Sequence, residues 1–318
     1  MRRTTVAAVA RPADTGTEPV TTDTEEYVLR SYRYLRLAIV VLLVGLAAGL
    51  IGQRISTDCI EGSISAYYYT PVHGLFIGSL VATGAAMVAL KGRTTVEDTF
   101  FNVAGMLAPV VALVPTTRQE MLCDGKTLPL SLDRDDLVPN SLLALLAAGA
   151  AILAATAIIA MRRRTLKDRA TSLGHSLRTG VAPSAALMIA ALVTVIGFNQ
   201  PWYTFMHFGA AVGLFVSISL AIGSLLSERF HSLLHRLLTW ARPTDKYRKP
   251  ERKYYRGYAG VLIATLPLML LAGMAGRSWI FWVEVVGVAS FTVFWSIQTA
   301  ELWDRLPEPS RIPESTRA

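Results

Sequence analysis

Leu37-Ala-Ile-Val-Val-Leu-Leu-Val-Gly-Leu-Ala-Ala-Gly-Leu-Ile-Gly-Gln53 carries no charged side chain and is bracketed by Arg36 and Arg54. Seventeen helical residues rise about 25 Å, close to the ~30 Å hydrocarbon core of a bilayer. A stretch this apolar, stopped by arginine at both ends, predicts a membrane-spanning helix.

Seven more runs of the same kind follow: Pro71–Leu90, Phe100–Pro115, Ser141–Met161, Val181–Phe198, Phe205–Leu226, Tyr258–Met274 and Trp279–Thr299. Lipid offers no hydrogen-bond partners, so each run must satisfy its own backbone as a helix. The expected fold is all-α, a polytopic transmembrane helical bundle of about eight helices. Residues 36–304 form the transmembrane domain. Residues 1–35 and 305–318 read as disordered polar tails. Composition agrees: 52% of the residues are hydrophobic and only 17% are charged, against about 25% charged in soluble domains. Arg2-Arg3 is not followed closely by an apolar stretch, so the pattern of a cleaved signal peptide is not met.

The formal charge of +8 does not indicate a nucleic-acid partner, because the basic residues cluster at the ends of the apolar runs. With the N-terminus inside, segments 1–36, 91–98, 162–180, 227–257 and 300–318 are cytoplasmic. They hold 26 of the 31 Lys and Arg residues, leaving Arg54, Arg118, Lys126, Arg134 and Arg277 outside. Cytoplasmic loops of membrane proteins carry this excess, so both termini are expected in the cytoplasm. Arg outnumbers Lys 25 to 6; together with abundant Ala this suggests a GC-rich bacterial genome, hence a bacterial plasma membrane.

On this topology Cys59 and Cys123 both lie in outer loops. A disulfide between them and two free thiols remain open alternatives.

Ionisable groups inside a span are costly and point to function. His207 and Glu284 lie near the outer ends of their helices and are candidate catalytic residues, a base or ligand with a proton-carrying or orienting partner. Ser65, Tyr68, His73, Asn199 and Tyr203 sit at a similar depth and could line a ligand-binding pocket. Asp98 and Asn102, at the inner end of the third span, form a second polar site, too deep to join the first at ~1.5 Å of rise per residue. On the last span Glu284, Gly287, Phe291, Trp295 and Gln298 share a face that should look into the bundle. Plainer roles compete: Tyr67–Tyr69 as an interfacial aromatic belt, Asp98 as a helix cap, and His207 with Glu284 as a buried structural pair. His231 and His235 have a metal-compatible spacing, but their helix reads better as amphipathic on the membrane surface, so no metal or other cofactor is expected. Gly45-x3-Gly49 and Gly209-x3-Gly213 permit close helix contacts, inside the bundle or in a homo-oligomer. No P-loop, HExxH, GxSxG or dinucleotide fingerprint occurs.

Ser63-Ile-Ser-Ala-Tyr-Tyr-Tyr-Thr70, Phe76-Ile-Gly78, Glu97-Asp98, Asn102-Val-Ala-Gly105, Pro115-Thr-Thr117, His207 and Phe281-Trp-Val-Glu284 together resemble a group of uncharacterised bacterial multi-pass membrane proteins. The resemblance covers most of residues 60–300 and implies a shared fold without an activity. More distantly, the Ser-Ile-Ser approach to a span is similar to the DUF998 and Frag1/DRAM/Sfk1 membrane families, some of which concern lipids. The Ser, Asp and His inventory also resembles the CREST membrane hydrolases, but the intramembrane His pair of those zinc enzymes is missing. The leading expectation is a protein that binds or modifies a lipid or other amphiphile at the outer leaflet, with membrane lipids as partners. The alternatives are a transporter or proton-coupled carrier, and a structural or sensory membrane component.

Overall fold

The computed structural model describes residues 20–116, 122–123, 134–164, 200–239 and 250–303. These form eight α-helices and two short 3-10 turns, with no strand among the described residues: α1 Val20–Thr57, the turn Ser65–Tyr69, α2 His73–Ala89, α3 Thr95–Leu113, α4 Arg134–Arg164, α5 Gln200–Leu226, α6 Glu228–Thr239, α7 Arg252–Ala272, the turn Gly276–Ser278, and α8 Trp279–Glu301. Among the described residues, five stretches are long and apolar enough to cross a bilayer: Glu26–Thr57, Thr95–Leu113, Tyr203–Leu226, Arg252–Ala272 and Trp279–Glu301. Helix α2 is apolar but has 17 residues. The expected span Val181–Phe198 and the tail 305–318 lie outside the described residues.

One boundary differs from expectation. Helix α1 begins at Val20, so residues 20–35 are helical and not a disordered tail. Side-chain anchors explain the extension: the Tyr32 hydroxyl donates to the Lys91 carbonyl at 3.2 Å, and Arg33 Nε donates to the Trp303 carbonyl at 2.5 Å. At its other end α1 stops at Asp58, the one described non-glycine residue with positive φ, whose carboxylate pairs with Arg54 at 2.6 Å.

Helix α3 is the most buried of the five long apolar stretches and packs against α2 and α5. Its start is set by Thr94, whose hydroxyl accepts from the Glu97 N–H at 3.2 Å. Its crossing with α2 needs two glycines. A Cβ on Gly84 would lie 2.5 Å from the Gly105 carbonyl oxygen, and one on Gly105 would lie 2.6 Å from the Gly84 oxygen. Pro109 lacks the N–H that would otherwise bond the Gly105 carbonyl, leaving that oxygen directed at the α2 backbone.

Three apolar clusters fill the bundle. Ile39, Leu43, Met87, Phe101, Tyr258, Phe294 and Trp295 occupy the basic end. Leu46, Leu50, Tyr67, Tyr68, Tyr69, Phe76 and Phe281 occupy the opposite end. Val110, Val114, Val138, Leu142 and Tyr203 join α3, α4 and α5. Outward faces stay apolar, as with Ile263 (73% exposed) and Leu270 (67%) on α7.

Candidate functional sites at the two ends of the bundle

The end opposite the basic loops is closed by the segment between α1 and α2. Ser63 starts the 3-10 turn by accepting the Ala66 N–H at 3.0 Å. The turn folds Ser65, Tyr67, Tyr68 and Tyr69 into the core, where all four are buried. These tyrosines therefore act as a plug rather than an aromatic belt. The Tyr69 hydroxyl donates to the Thr116 carbonyl at 2.9 Å. His73 Nδ1 donates to the Tyr68 carbonyl at 2.5 Å, and the two rings meet edge to face. Burial raises the pKa of the Tyr67 and Tyr68 hydroxyls, so both stay protonated.

Glu284 is half-buried on α8 and accepts from the Ile64 N–H at 2.5 Å, beside a backbone bond from Phe281 N to the Gly62 carbonyl at 2.9 Å. His207, fully buried on α5, donates from Nδ1 to the Val114 carbonyl at 2.6 Å. The two expected catalytic residues are thus each engaged with a different backbone segment, Glu284 with the plug and His207 with the end of α3. Tyr203 is buried with Val138 and Leu142; Asn199 lies outside the described residues.

Cys59 and Cys123 form a disulfide that ties the α1–α2 loop to residues 122–123. Glu61 reinforces it: its carboxylate accepts from Leu122 N at 2.8 Å and Cys123 N at 3.4 Å. Burial pushes the Glu61 pKa upward, outweighing those two donors.

The basic end holds a set of buried charges that the sequence reading passed over. Arg36 (α1), Glu97 (α3) and Glu301 (α8) are all buried, and the Arg93 side chain is only 10% exposed. Gln298 sits between two of them: its Oε1 accepts from Arg36 Nη1 at 3.0 Å, and its Nε2 donates to Glu97. Glu97 also accepts from the Arg93 backbone N–H at 2.8 Å. Arg93 Nη1 pairs with Glu301 at 2.9 Å, and the Tyr258 hydroxyl donates to Glu301. Arg36 lies over the Tyr32 and Trp295 rings, 4.7 and 5.1 Å from their centroids. Two cations balance two anions, so the group is neutral as a whole. Burial alone lowers the Arg93 pKa, but Glu97, Tyr258 and Glu301 outweigh it and the net shift is upward. The group joins α1, the α2–α3 loop, α3, α7 and α8.

Asp98 lies beside this group and faces Lys91 and the Gly92 N–H (3.1 Å). It braces the loop, while Thr94 supplies the cap of α3. Asn102 is buried one turn further along. His231 and His235 are buried on α6 with ring centroids 6.3 Å apart. No group of three or more potential metal ligands occurs among the described residues.

Next to the buried charges, a shallow groove of about 500 Å³, largely open to its surroundings, runs between α1 and α8, lined by Leu37, Val40, Ser296, Thr299, Ala300 and Trp303.

The architecture is that of an all-helical bundle with several helices suited to a membrane. Comparison with protein-family models, curated proteins and solved structures gives no match.

Proposed function

We propose that this chain is a polytopic plasma-membrane protein, both termini cytoplasmic, that binds a lipid or other amphiphile. The observation that carries this reading is the shallow groove between the apolar helices α1 and α8, lined mainly by carbon. Ser65 and Tyr68 at the opposite end are buried in a plug and His73 bonds its backbone, which favours a seat in the groove over one among these three. Ser296 and Ala300 are exposed, so enlarging them fills the groove without disturbing the core. Native mass spectrometry of protein taken from membranes in nanodiscs tests the idea. Bound lipid should be present on the wild type, absent from Ser296→Phe and Ala300→Phe, and retained by Ile263→Phe on the far face of α7. Wild-type protein free of lipid would refute the proposal.

A second reading, a proton-coupled carrier, draws on the buried charges at the basic end, since paired ionisable groups in membrane helices mark ion and proton pathways. It requires pH-dependent solute flux in proteoliposomes that Glu97→Gln abolishes; flux that is absent, or unchanged in the variant, removes it.

A further inference from the structure

We propose that Arg93 and Glu97 form a binding site for a small carboxylic acid, taken up as the carboxylate together with one proton. This rests on the carrier reading and names its substrate class; binding is measured apart from flux, so each can fail alone.

The Arg93 guanidinium is engaged at one corner only. Its Nη1 pairs with Glu301 at 2.9 Å. Nε and Nη2 are buried, and neither has a hydrogen-bond partner among the described residues. In arginine these two nitrogens each point one N–H the same way, a planar fork that donates to both oxygens of a carboxylate. Buried donors without an acceptor are costly and uncommon, so a whole fork of them calls for a ligand of matching shape. Arg36 adds a third such donor to the same group: its Nη1 and Nη2 are held by Gln298 and Tyr32, while its Nε is buried and unpartnered.

Glu97 does not fill the fork. Its Oε2 stays 3.7 Å from Arg93 Nε, beyond hydrogen-bonding reach. Donors elsewhere hold it there: the Arg93 backbone N–H donates to Oε2 at 2.8 Å, and Gln298 Nε2 donates to Oε1. Turning Glu97 onto the fork would break both bonds. Glu97 instead decides the charge of what can enter. A carboxylate seated on the fork faces the Glu97 carboxylate at close range, and like charges that near do not both stay ionised. The ligand therefore brings a proton, which comes to rest on Glu97 Oε2. That oxygen then donates to the ligand and still accepts from the Arg93 N–H.

The surroundings single out Glu97 for the proton. Glu301 lies at the far corner of Arg93 and accepts from the Tyr258 hydroxyl. Arg36 and Tyr32 face the group from α1, and the Lys91–Asp98 pair lies alongside. Helix α6, also packed on α3, brings buried His231 and His235 and exposed Glu228, Arg229 and Arg236. Helices α2 and α5 carry no titratable side chain at this end, and α4 meets α3 at the other. The Arg93 side chain is only 10% exposed, with the Tyr258 ring centroid 5.9 Å from its guanidinium carbon. This enclosure limits the ligand to a short acid such as acetate or propionate. Arg93 belongs to the short connection between α2 and α3, which must give way for the acid to enter from the basic end.

The test measures equilibrium binding of radiolabelled propionate to the full chain in nanodiscs as pH is varied above the acid's own pKa. Wild-type affinity should weaken about tenfold per pH unit, the slope of one proton taken up with each ligand. Neutral propionamide should not compete. Glu97→Gln, which copies the uncharged carboxyl, should still bind propionate, with an affinity that no longer changes with pH. Arg93→Lys keeps the charge but loses the fork, and should bind roughly tenfold more weakly, the worth of one charge-assisted hydrogen bond. Tryptophan-fluorescence unfolding checks that each variant is folded; if Arg93→Lys is not, the pH slopes of the wild type and Glu97→Gln decide. No propionate binding to the wild type overturns the proposal. So does a pH slope that survives in Glu97→Gln, wild-type affinity in Arg93→Lys, or equal competition by propionamide. Binding with the expected slope but without flux in proteoliposomes removes the carrier reading and leaves the acid site standing.

Discussion

Replacing Glu97 with alanine removes three interactions at one fully buried position. Gln298 Nε2 loses its acceptor, the Arg93 N–H loses its acceptor, and the Arg93 guanidinium keeps only Glu301 as a facing carboxylate. Deleting one partner of a buried ion pair costs about 3–5 kcal/mol, most of it from the charge left behind. Glu97→Gln should cost less, about 2 kcal/mol, because an amide oxygen can still accept from the Arg93 N–H. Its amide nitrogen, however, conflicts with Gln298 Nε2. Turning Gln298 to relieve the conflict would withdraw the acceptor of Arg36 Nη1. Reversible unfolding in mixed micelles, read by tryptophan fluorescence, gives the stability of each variant. In the double variant Glu97→Ala/Arg93→Ala the losses should fall short of the sum of the singles by at least ~1 kcal/mol, as for residues in one network. A cost below about 1 kcal/mol for Glu97→Ala, or additive losses in the double variant, would refute the view that these charges act as one group.

Gly105→Ala should destabilise by about 1–3 kcal/mol, since its Cβ meets backbone at 2.6 Å, whereas Gly45→Ala, with nothing within 4 Å, should be neutral in the same unfolding assay. Cys59→Ser opens a disulfide with a sequence separation of 64 residues, and should cost up to about 4 kcal/mol by chain entropy, less if the unfolded chain keeps its helices; reductant should destabilise the wild type equally and leave the variant unchanged. The raised pKa of Glu61 means the folded chain binds that proton more tightly than the unfolded chain, whose value is near 4.5. Its stabilising contribution is therefore complete below that pH and is lost as pH rises through the folded value. Wild-type stability should decline over that window, and the decline should shrink in Glu61→Gln; identical profiles would remove Glu61 as the source.

The helical class was legible because uncharged runs near bilayer length have few other uses. Glu97 stood in a noted motif, and Gln298 lay on the α8 face expected to look inward, a face on which Gly287, Phe291, Trp295 and Gln298 are buried. Their connection was not legible. Arg36 marks the edge of an apolar run, and in sequence an arginine there looks like a solvated boundary. Of its partners, Tyr32 lies one turn away on the same helix, but Gln298 is 262 positions away, a separation that no helical period encodes. The glycine motifs were half informative. Gly49 approaches Leu75 of α2 and Gly213 approaches Leu107 of α3, while Gly45 and Gly209 have open surroundings; the closest backbone approach is made by Gly84 and Gly105, on different helices and in neither motif. The partners that His207 and Glu284 bond, the Val114 carbonyl and the Ile64 N–H, lie on distant segments that no helical spacing points to.

The pairing pattern also dictates an order of assembly. Arg36 and Glu97 belong to α1 and α3, yet Gln298, which bonds both, arrives with α8, as does Glu284, which anchors the plug at Ile64. During synthesis Glu97 already has Arg93 beside it and Arg36 has Tyr32, but Arg36 and Arg93 lack Gln298 and Glu301 until α8 is made, and dehydrating incompletely paired groups is costly. Final closure at both ends of the bundle must therefore wait for α8, which acts as the keystone of maturation, so a nascent chain halted before Trp279 would keep its interior wet and present the signature of an unfinished protein.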